Sequence, residues 1–301
     1  MELSLRFGLV GTGPWARMTH GPGLAAAEGV DLVGVWGRDP EKAADLARTL
    51  GVTPYDDYDE LLADVDAVAF SVPPDVQAEL ALVAARAGRH LLLDKPVALD
   101  PAAARVLRDA ASAAGATSVV FFTDRFVPTS REWFDRVRAS SGWRGGWLRW
   151  FSALQQPDNP FGASPWRHQH GALWDTGPHA LSTLSGALGP VASVSAVAGE
   201  GDLVTLVLHH ESGASSSVSL TQFAPPAAAG FEAAVWGDEG VLLMPPRPTD
   251  TALRELLAIA AQELVAAVHA GAPHPLDLGF GTRNVELLAQ AQAQLDAEPK
   301  R

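Results

Sequence analysis

The sequence predicts two domains: an α/β domain with a doubly wound parallel sheet over residues 1–123, and an α+β domain with a largely antiparallel open sheet over residues 124–301. A chain of 301 residues has the length of about two domains. From Leu5 to Phe122, short apolar runs alternate with alanine-rich stretches of helical period, which is typical of repeated βαβ units. After Phe122 the strand-like stretches follow one another across short turns, so they can pair antiparallel without helical crossovers.

The elements of the first domain follow from its apolar runs and its helix-starting residues. Strands with near-continuous apolar character are typical of a parallel sheet covered on both faces. The predicted strands are residues 6–10, 31–36, 67–72, 90–94 and 118–122. The predicted helices are residues 15–28, 40–50, 75–87 and 101–114. Two of these helices begin with the pairs Asp39-Pro40 and Asp100-Pro101, in which the carboxylate caps the helix and proline takes its first position.

The second domain is predicted to begin with a helix at 129–139, a strand at 146–153 and a loop at 155–165 that proline and asparagine interrupt. Strand-like alternation then returns between turn-forming residues. The predicted strands are residues 192–198, 202–208, 214–221, 232–236 and 241–244. Two helices, at 251–270 and 282–296, close the chain, and the last of them can pack back on the first domain.

The composition excludes several classes of protein. Hydrophobic residues make up 47 % of the chain and charged residues 19 %, which is typical of a folded globular protein. A formal net charge of -13 repels nucleic acid and anionic membranes, so neither is an expected partner. The absence of cysteine excludes disulfides, thiolate nucleophiles and cysteine metal sites. No signal peptide and no apolar span of roughly 18 residues is apparent, so we expect a cytoplasmic protein.

A glycine-rich turn, Gly11-Thr12-Gly13-Pro14-Trp15-Ala16, joins the first predicted strand to the first predicted helix in a GxGxxA pattern. Gly11 allows a tight turn, Gly13 lets a pyrophosphate approach the backbone, and Ala16 lets helix and strand pack closely. The helix N-terminus favours the bound anion. The motif therefore predicts a dinucleotide site, and the alternative is an ordinary turn between a strand and a helix.

The end of the second predicted strand bears on which dinucleotide binds. An acidic residue there would hold the ribose 2′-hydroxyl of NAD, but this chain has Gly37 followed by Arg38. A 2′-phosphate meets no repelling carboxylate here and has a guanidinium beside it, so NADP(H) is favoured over NAD(H). In the alternative, Arg38 is a solvated surface charge, and Asp39 binds NAD or only caps the next helix.

The segment Asp94-Lys95-Pro96 stands at the carboxyl end of a predicted strand, the edge where open α/β sheets bind ligands. Lys95 is one of only three lysines in the chain. Its ammonium can donate hydrogen bonds to a substrate oxygen and stabilise the negative charge that develops there during hydride transfer. The alternative is a surface ion pair. Besides the glycine-rich turn, Gly37 and Arg38, the expected cofactor contacts are Ser71, Pro73, Pro74, Asp94, Lys95 and Pro96.

Asp175 and His179 are four residues apart, so they share one face if they lie on a helix, which the pair Gly177-Pro178 would disturb locally. His179 can exchange a hydroxyl proton as acid or base while Asp175 orients it. The same spacing could form half of a metal site, but no third ligand is indicated, and we expect no metal. The alternative is a purely structural pair.

Trp166 and Arg167 precede this segment and are expected substrate contacts. An indole ring can stack on a sugar-sized ligand, and a guanidinium can hold a carboxylate or a hydroxyl group. The alternative assigns most of the nine tryptophans to the core or to an interface.

Together these segments resemble the Gfo/Idh/MocA family of NAD(P)-dependent oxidoreductases over nearly the whole chain. Residues 11–16 look like the family's dinucleotide loop, residues 94–96 like its Glu-Lys-Pro motif with Asp for Glu, and residues 175–179 like its Asp-x-Gly-x-His segment. The resemblance implies a Rossmann domain followed by an α+β domain whose sheet often forms the subunit interface. It also implies the catalytic trio Lys95, Asp175 and His179.

The chain departs from the family pattern at two places. Gln77 stands where the family commonly has a histidine, and Thr123-Asp124-Arg125-Phe126 replaces an Asn-x-Arg-like stretch before the second domain. Both departures could alter the surroundings of the substrate or of the nicotinamide ribose. Arg125 is the expected substrate contact in this stretch.

These observations predict an NAD(P)-dependent dehydrogenase or reductase that moves a hydride between NADP(H), or NAD(H), and a hydroxyl or keto carbon of a sugar, polyol or related small molecule. The resemblance further implies a homo-oligomer assembled through the C-terminal sheet. Two alternatives stay open: an NAD(P)-binding sensor or regulatory protein without turnover, and a lyase or hydrolase that uses bound NAD transiently.

Overall fold

The computed structural model describes residues 4–154 and 165–297. The predicted loop at 155–165 lies outside the described residues except for Pro165. Contacts divide the chain into two compact units. Unit 1 contains Met1–Phe126 and Asp250–Arg283, and unit 2 contains Val127–Thr249 and Asn284–Arg301. The domain limits that the sequence predicts stay a prediction.

Unit 1 is built on a six-stranded parallel sheet, which confirms the predicted doubly wound fold. Its strands are β1 Leu5–Val10, β2 Val30–Trp36, β3 Thr53–Tyr55, β4 Ala67–Phe70, β5 His90–Asp94 and β6 Ser118–Phe121. The strand order is β3-β2-β1-β4-β5-β6, so the direction of winding changes between β1 and β4, where such sheets bind ligands. The sequence did not predict β3, a three-residue strand at the sheet edge, because its Pro54 is unfavourable everywhere in a sheet except at an edge.

The helices of unit 1 follow the expected positions closely. They are α1 Gly21–Ala26, α2 Pro40–Leu50, α3 Tyr58–Asp64, α4 Pro74–Arg86, α5 Pro101–Ala113 and α9 Leu253–Ala270. Both predicted caps are confirmed: the Lys42 amide donates to Asp39 Oδ1 at 3.2 Å, and the Ala103 amide donates to Asp100 Oδ2 at 2.8 Å. The sequence analysis missed α3, whose single short apolar pair shows little helical period.

The helix predicted over residues 15–28 is present and ends at Ala26, but it contains a wider turn. A π-helical turn at Ala16–His20 runs directly into the short helix α1, and the backbone stays helical through the junction. The Gly21 amide donates to the Ala16 carbonyl five residues earlier. Pro22 has no N–H to donate, and the wider turn places it in the first turn of α1, where no N–H is needed. Wide turns of this kind occur often at functional sites.

Unit 2 contains a six-stranded mixed sheet. Its strands are β7 Trp143–Phe151, β8 Val191–Ala198, β9 Val204–His210, β10 Ser215–Thr221, β11 Gly230–Gly237 and β12 Gly240–Leu243, in the order β12-β11-β7-β10-β9-β8. Four of the five neighbouring pairs are antiparallel, which confirms a largely antiparallel sheet. The pairing of β7 with β10 is the parallel exception in this sheet. The two helices between β7 and β8 supply the long connection that a parallel pair requires.

The helices of unit 2 cover one face of this sheet. They are α6 Pro128–Ala139, α7 Pro165–Asp175, α8 Gly177–Leu188 and the later part of α10 Leu278–Ala297. Helix α8 packs on β7 and β10, and it is buried along nearly all its length. Within the part of the chain that the structure describes, no helix has the length and apolar character needed to cross a membrane.

Candidate functional site

The glycine-rich turn lies at the switch point of the unit 1 sheet, between the ends of β2 and β4. The Gly11 amide donates to the Trp36 carbonyl at 2.9 Å. Gly11 has a φ of +121°, and a Cβ on it would lie 2.3 Å from the Ser71 carbonyl oxygen, so only glycine fits. The turn is thereby held against both neighbouring strands, as a dinucleotide loop requires.

Space for a phosphate exists above the second glycine of this turn. A Cβ added to Gly13 would meet nothing within 4 Å, and the first helical bond runs from the Arg17 amide to the Gly13 carbonyl at 3.1 Å. Ala16 is fully buried, as close packing of helix and strand requires. Ser71 Oγ is buried and has no hydrogen-bond partner among the described residues. An open backbone beside a helix start and a polar atom lacking a partner both fit a bound dinucleotide.

The end of β2 leaves little room for an acidic side chain. A Cβ on Gly37 would lie 2.7 Å from Thr12 Cγ2. Asp39 is already engaged, because it caps α2 and pairs with Lys42 Nζ at 2.9 Å, and the hydrogen bond from Lys42 lowers the pKa of its carboxyl group. Arg38 is exposed and makes no hydrogen bond or ion pair within the described residues. The guanidinium is therefore available to an anionic ligand.

The Lys95 segment is tied directly to the glycine-rich turn. Trp15 Nε1 donates to Asp94 Oδ2 at 2.6 Å, and the Lys95 amide donates to Asp94 Oδ1 at 2.8 Å. The turn and the end of β5 are thus joined by one carboxylate, and Lys95 lies half-buried beside it. The other expected contacts on this sheet edge have these places: Pro14 is exposed at the start of the first helical stretch, Pro73 and Pro74 begin α4, and buried Pro96 follows Lys95.

Two buried residues of unit 1 contact the same segment: Gln77, which the sequence indicated only as a departure from the family pattern, and His20, which was not predicted. Gln77 accepts a hydrogen bond from the Asp94 amide at 2.8 Å and donates to the Asp94 carbonyl at 2.9 Å. His20 is fully buried, with Nε2 3.9 Å from Asp94 Oδ2. Burial lowers the pKa of His20 more than the charge of Asp94 raises it, which favours the neutral imidazole.

In unit 2, Asp175 and His179 flank a break between two helices. Asp175 ends α7 and His179 lies in the first turn of α8, with Thr176 between the helices. Asp175 Oδ2 accepts hydrogen bonds from Arg167 Nε at 3.1 Å and from Gln222 Nε2 at 3.0 Å. Arg167, expected to contact substrate, thus pairs with the predicted catalytic carboxylate. Gln222 was not predicted, because it reaches Asp175 only when β10 is placed beside these helices.

His179 is fixed by its surroundings in unit 2. It is 6 % exposed, and its ring centroid lies 5.3 Å from that of Trp150. The preceding carbonyl, Pro178 O, accepts a hydrogen bond from Asn284 Nδ2 at 3.2 Å. A Cβ on Gly177 would lie 3.0 Å from Leu288 Cδ2, so α10 packs tightly against the start of α8. Sequence spacing gives no indication that Asn284 would reach this segment.

The remaining predicted residues are divided between the two units. Arg125 ends a 3-10 turn, Thr123–Arg125, in unit 1. Trp166 lies in unit 2, where Arg167 Cζ is 5.3 Å from its ring centroid. Among the described residues, no group of three or more histidine or acidic side chains could hold a metal ion.

A parallel sheet with a glycine-rich turn at its switch point, followed by a unit with a mixed sheet, defines a nucleotide-binding protein of the Rossmann class. Comparison with family models specifies it further. Residues 5–122 match the GFO/IDH/MocA oxidoreductase family with its NAD-binding Rossmann fold, and residues 141–243 match the GFO/IDH/MocA C-terminal domain. The chain belongs to the GFO/IDH/MocA family of oxidoreductases.

Individual relatives are more distant. UDP-N-acetylglucosamine 3-dehydrogenase of Acidithiobacillus ferrooxidans is 37 % identical over 98 residues, which are 33 % of this chain and 30 % of that protein. Levoglucosan dehydrogenase of Pseudarthrobacter phenanthrenivorans is 28 % identical over 172 residues, 53 % of this chain and 43 % of that protein. The chain therefore spans less than half the length of these curated relatives in each match.

Solved structures share the fold at low sequence identity. The crystal structure of an oxidoreductase from Agrobacterium radiobacter, in complex with NAD+, L-tartaric acid and magnesium, superposes with a TM-score of 0.84. It is 16 % identical, and the match covers 98 % of this chain and 97 % of that one.

Proposed function

We propose that this protein is a dehydrogenase or reductase that moves a hydride between NADP(H) and a hydroxyl or keto carbon of a sugar, a polyol or a related small molecule. The observation that carries the proposal is the hydrogen bond from Trp15 to Asp94, which joins the dinucleotide turn to the segment of Lys95. Relatives named as dehydrogenases of UDP-N-acetylglucosamine and of levoglucosan support a sugar-like substrate. The net charge of -13 supports a small molecule over nucleic acid or an anionic membrane as partner.

Three side chains have distinct roles in the proposed reaction. The bound nicotinamide supplies or accepts the hydride at its C4 atom. The Lys95 ammonium donates a hydrogen bond to the reacting oxygen and stabilises its developing negative charge. His179 takes the hydroxyl proton when the alcohol is oxidised and returns it when the ketone is reduced. Asp175 orients the reacting groups and is itself held by Arg167 and Gln222.

The proposed reaction is tested by following the near-ultraviolet absorbance of reduced nicotinamide. The purified protein is mixed with NADP+ or NAD+ and a panel of aldoses, inositols, levoglucosan and a UDP-sugar, and products are analysed by mass spectrometry. A net rise in absorbance with an oxidised product supports the dehydrogenase. A converted substrate without net absorbance change would indicate a lyase or hydrolase that uses the nucleotide transiently. Nucleotide binding without any product would indicate a sensor or regulatory protein.

The preference for NADP(H) predicts a difference between two titrations. Energy transfer from tryptophan to the reduced nicotinamide reports binding, since Trp15 and Trp36 flank the glycine-rich turn. We expect NADPH to bind more tightly than NADH. Arg38→Ser should weaken NADPH binding by about tenfold or more, because it removes a charge-assisted hydrogen bond to the 2′-phosphate, and should leave NADH binding unchanged.

Arg86→Ser, which removes an exposed cation at the end of α4, is the matched control and should change neither affinity. Tighter binding of NADH than of NADPH by the unaltered protein would contradict the proposal. The ribose contact would then be assigned to Asp39.

We further propose a homo-oligomer that pairs the uncovered faces of the unit 2 sheets. Neighbouring strands align one row of small and apolar side chains across the face opposite α8: Ser195, Val207, Ser217, Trp147, Ala234 and Leu243. Val207 is 39 % exposed and Leu243 is 59 % exposed. Exposed apolar side chains such as Val207 and Leu243 on an uncovered sheet face fit a protein interface.

Substituting Val207 by lysine should convert the oligomer to a monomer, because an interface related by a twofold axis would bury the new charge from both subunits. Sedimentation equilibrium measures the mass. Val106→Lys is the matched control, since Val106 is a similarly exposed valine, 47 % accessible, on α5 of unit 1. A monomeric unaltered protein, or an oligomer that persists in Val207→Lys, would overturn this interface.

A further inference from the structure

Gln77 lies in the first turn of α4 and is 1 % exposed, and both polar atoms of its amide hydrogen-bond to the segment that carries Lys95. Its Oε1 accepts from the Asp94 amide at 2.8 Å. Its Nε2 faces three carbonyl oxygens, those of Asp94 at 2.9 Å, Pro96 at 3.3 Å and Val97 at 3.4 Å. One buried side chain thus contacts the backbone on both sides of Lys95.

The regular strand pairing of the backbone ends at this point. Asp94 is the last residue of β5, so the ladder bonds to β4 and β6 end here. Pro96 has no N–H to donate. Buried carbonyl groups that lose their partners cost free energy, and this keeps the Gln77 amide in place. The hydrogen bond from Trp15 to Asp94 holds a side chain, whereas Gln77 holds the main chain.

We propose that Gln77 is the positioning residue for Lys95: its amide fixes the backbone from Asp94 to Val97 and so sets where the Lys95 ammonium lies. This inference rests on the proposed function, in which that ammonium contacts the reacting oxygen. Misplacing a reacting group by about 1 Å can cost about a hundredfold in rate, so a residue that never touches substrate can still control turnover.

The first test needs no substrate. Because the chain has three lysines, acetylation by N-hydroxysuccinimidyl acetate can be followed at each of them by peptide mass spectrometry, with Lys42 as internal reference. Gln77→Met retains the volume of the side chain and removes the hydrogen bonds. We expect acetylation of Lys95 to accelerate several-fold while Lys42 is unchanged. Equal Lys95 rates in Gln77→Met and the unaltered protein would overturn the proposal.

Gln262→Met is the matched control. Gln262 is half-buried in α9 of unit 1 and makes no side-chain hydrogen bond within the described residues, so its replacement should leave both rates unchanged. Gln77→His is the rescue variant, because an imidazole retains one donor and one acceptor. It should give a Lys95 acetylation rate between those of the unaltered protein and Gln77→Met.

The second test is a double-mutant cycle on turnover, with the substrate that reacts fastest in the panel above. Gln77→Met should lower kcat by about 10- to 100-fold, with a much smaller change in NADPH affinity. In a Lys95→Met background the same substitution should have no further effect, because the group that Gln77 positions is gone. Additive losses would mean that Gln77 acts only through general stability. An unaltered kcat in Lys95→Met itself would refute the proposed function instead, so the two failures are distinguishable.

Discussion

Replacing Lys95 by methionine is expected to lower kcat by about 10²- to 10³-fold and to weaken NADPH binding far less. Methionine has a similar length and no charge, so it fills the same volume but cannot stabilise negative charge on the reacting oxygen. The Lys95 amide still donates to Asp94, because this hydrogen bond belongs to the main chain. Steady-state kinetics with the fastest substrate and the tryptophan energy-transfer titration separate the two effects.

Arg108→Met is the control for this substitution, since Arg108 is a surface cation on α5 that pairs with Asp109. It should leave kcat unchanged. An equal kcat in Lys95→Met and the unaltered protein would remove Lys95 from the reaction. A loss of NADPH affinity that accounts for the whole loss of rate would assign Lys95 to cofactor binding alone.

Replacing His179 by asparagine is expected to lower kcat by about 10²- to 10⁴-fold, because general acid and base catalysis at the hydroxyl proton is lost. Asparagine is uncharged at every pH, so the ionisation of His179 should disappear from the pH profile of kcat/KM. The measurement is that profile, recorded in both reaction directions. NADPH binding should be unchanged, because the residues proposed to hold the cofactor lie in unit 1.

The packing of His179 requires a separate check, since it is 6 % exposed and its ring contacts Trp150. Thermal unfolding shows whether His179→Asn still folds, and His179→Gln is a second variant if it does not. His269→Asn, an exposed histidine near the end of α9, is the control and should change neither stability nor rate. A His179 variant that folds and retains the rate and pH profile of the unaltered protein would exclude His179 as the acid or base.

The sequence predicted the architecture of unit 1 well, because its signals are local. Apolar runs of four to six residues became buried parallel strands, and Asp39 and Asp100 cap helices within three residues of themselves. The errors arose where local signals were weak or competed. The predicted first helix contains a π-helical turn that no local signal indicated, and β3 was too short to be recognised. The parallel pairing of β7 with β10 joins segments more than sixty residues apart, and the local hydrophobic periodicity of a strand does not indicate its pairing partner.

By itself the sequence determined that this protein has a dinucleotide turn after β1, a lysine at the end of β5 and an acid with a histidine four residues apart, because each motif is contiguous. Only the tertiary structure decided which side chains hold these groups in place. Gln77 meets the Lys95 segment, Gln222 meets Asp175, and Asn284 meets the start of α8 through contacts between distant parts of the chain. A buried side-chain amide needs hydrogen-bond partners, which can be backbone groups or carboxylates. Which group becomes the partner depends on how distant segments of the chain pack together.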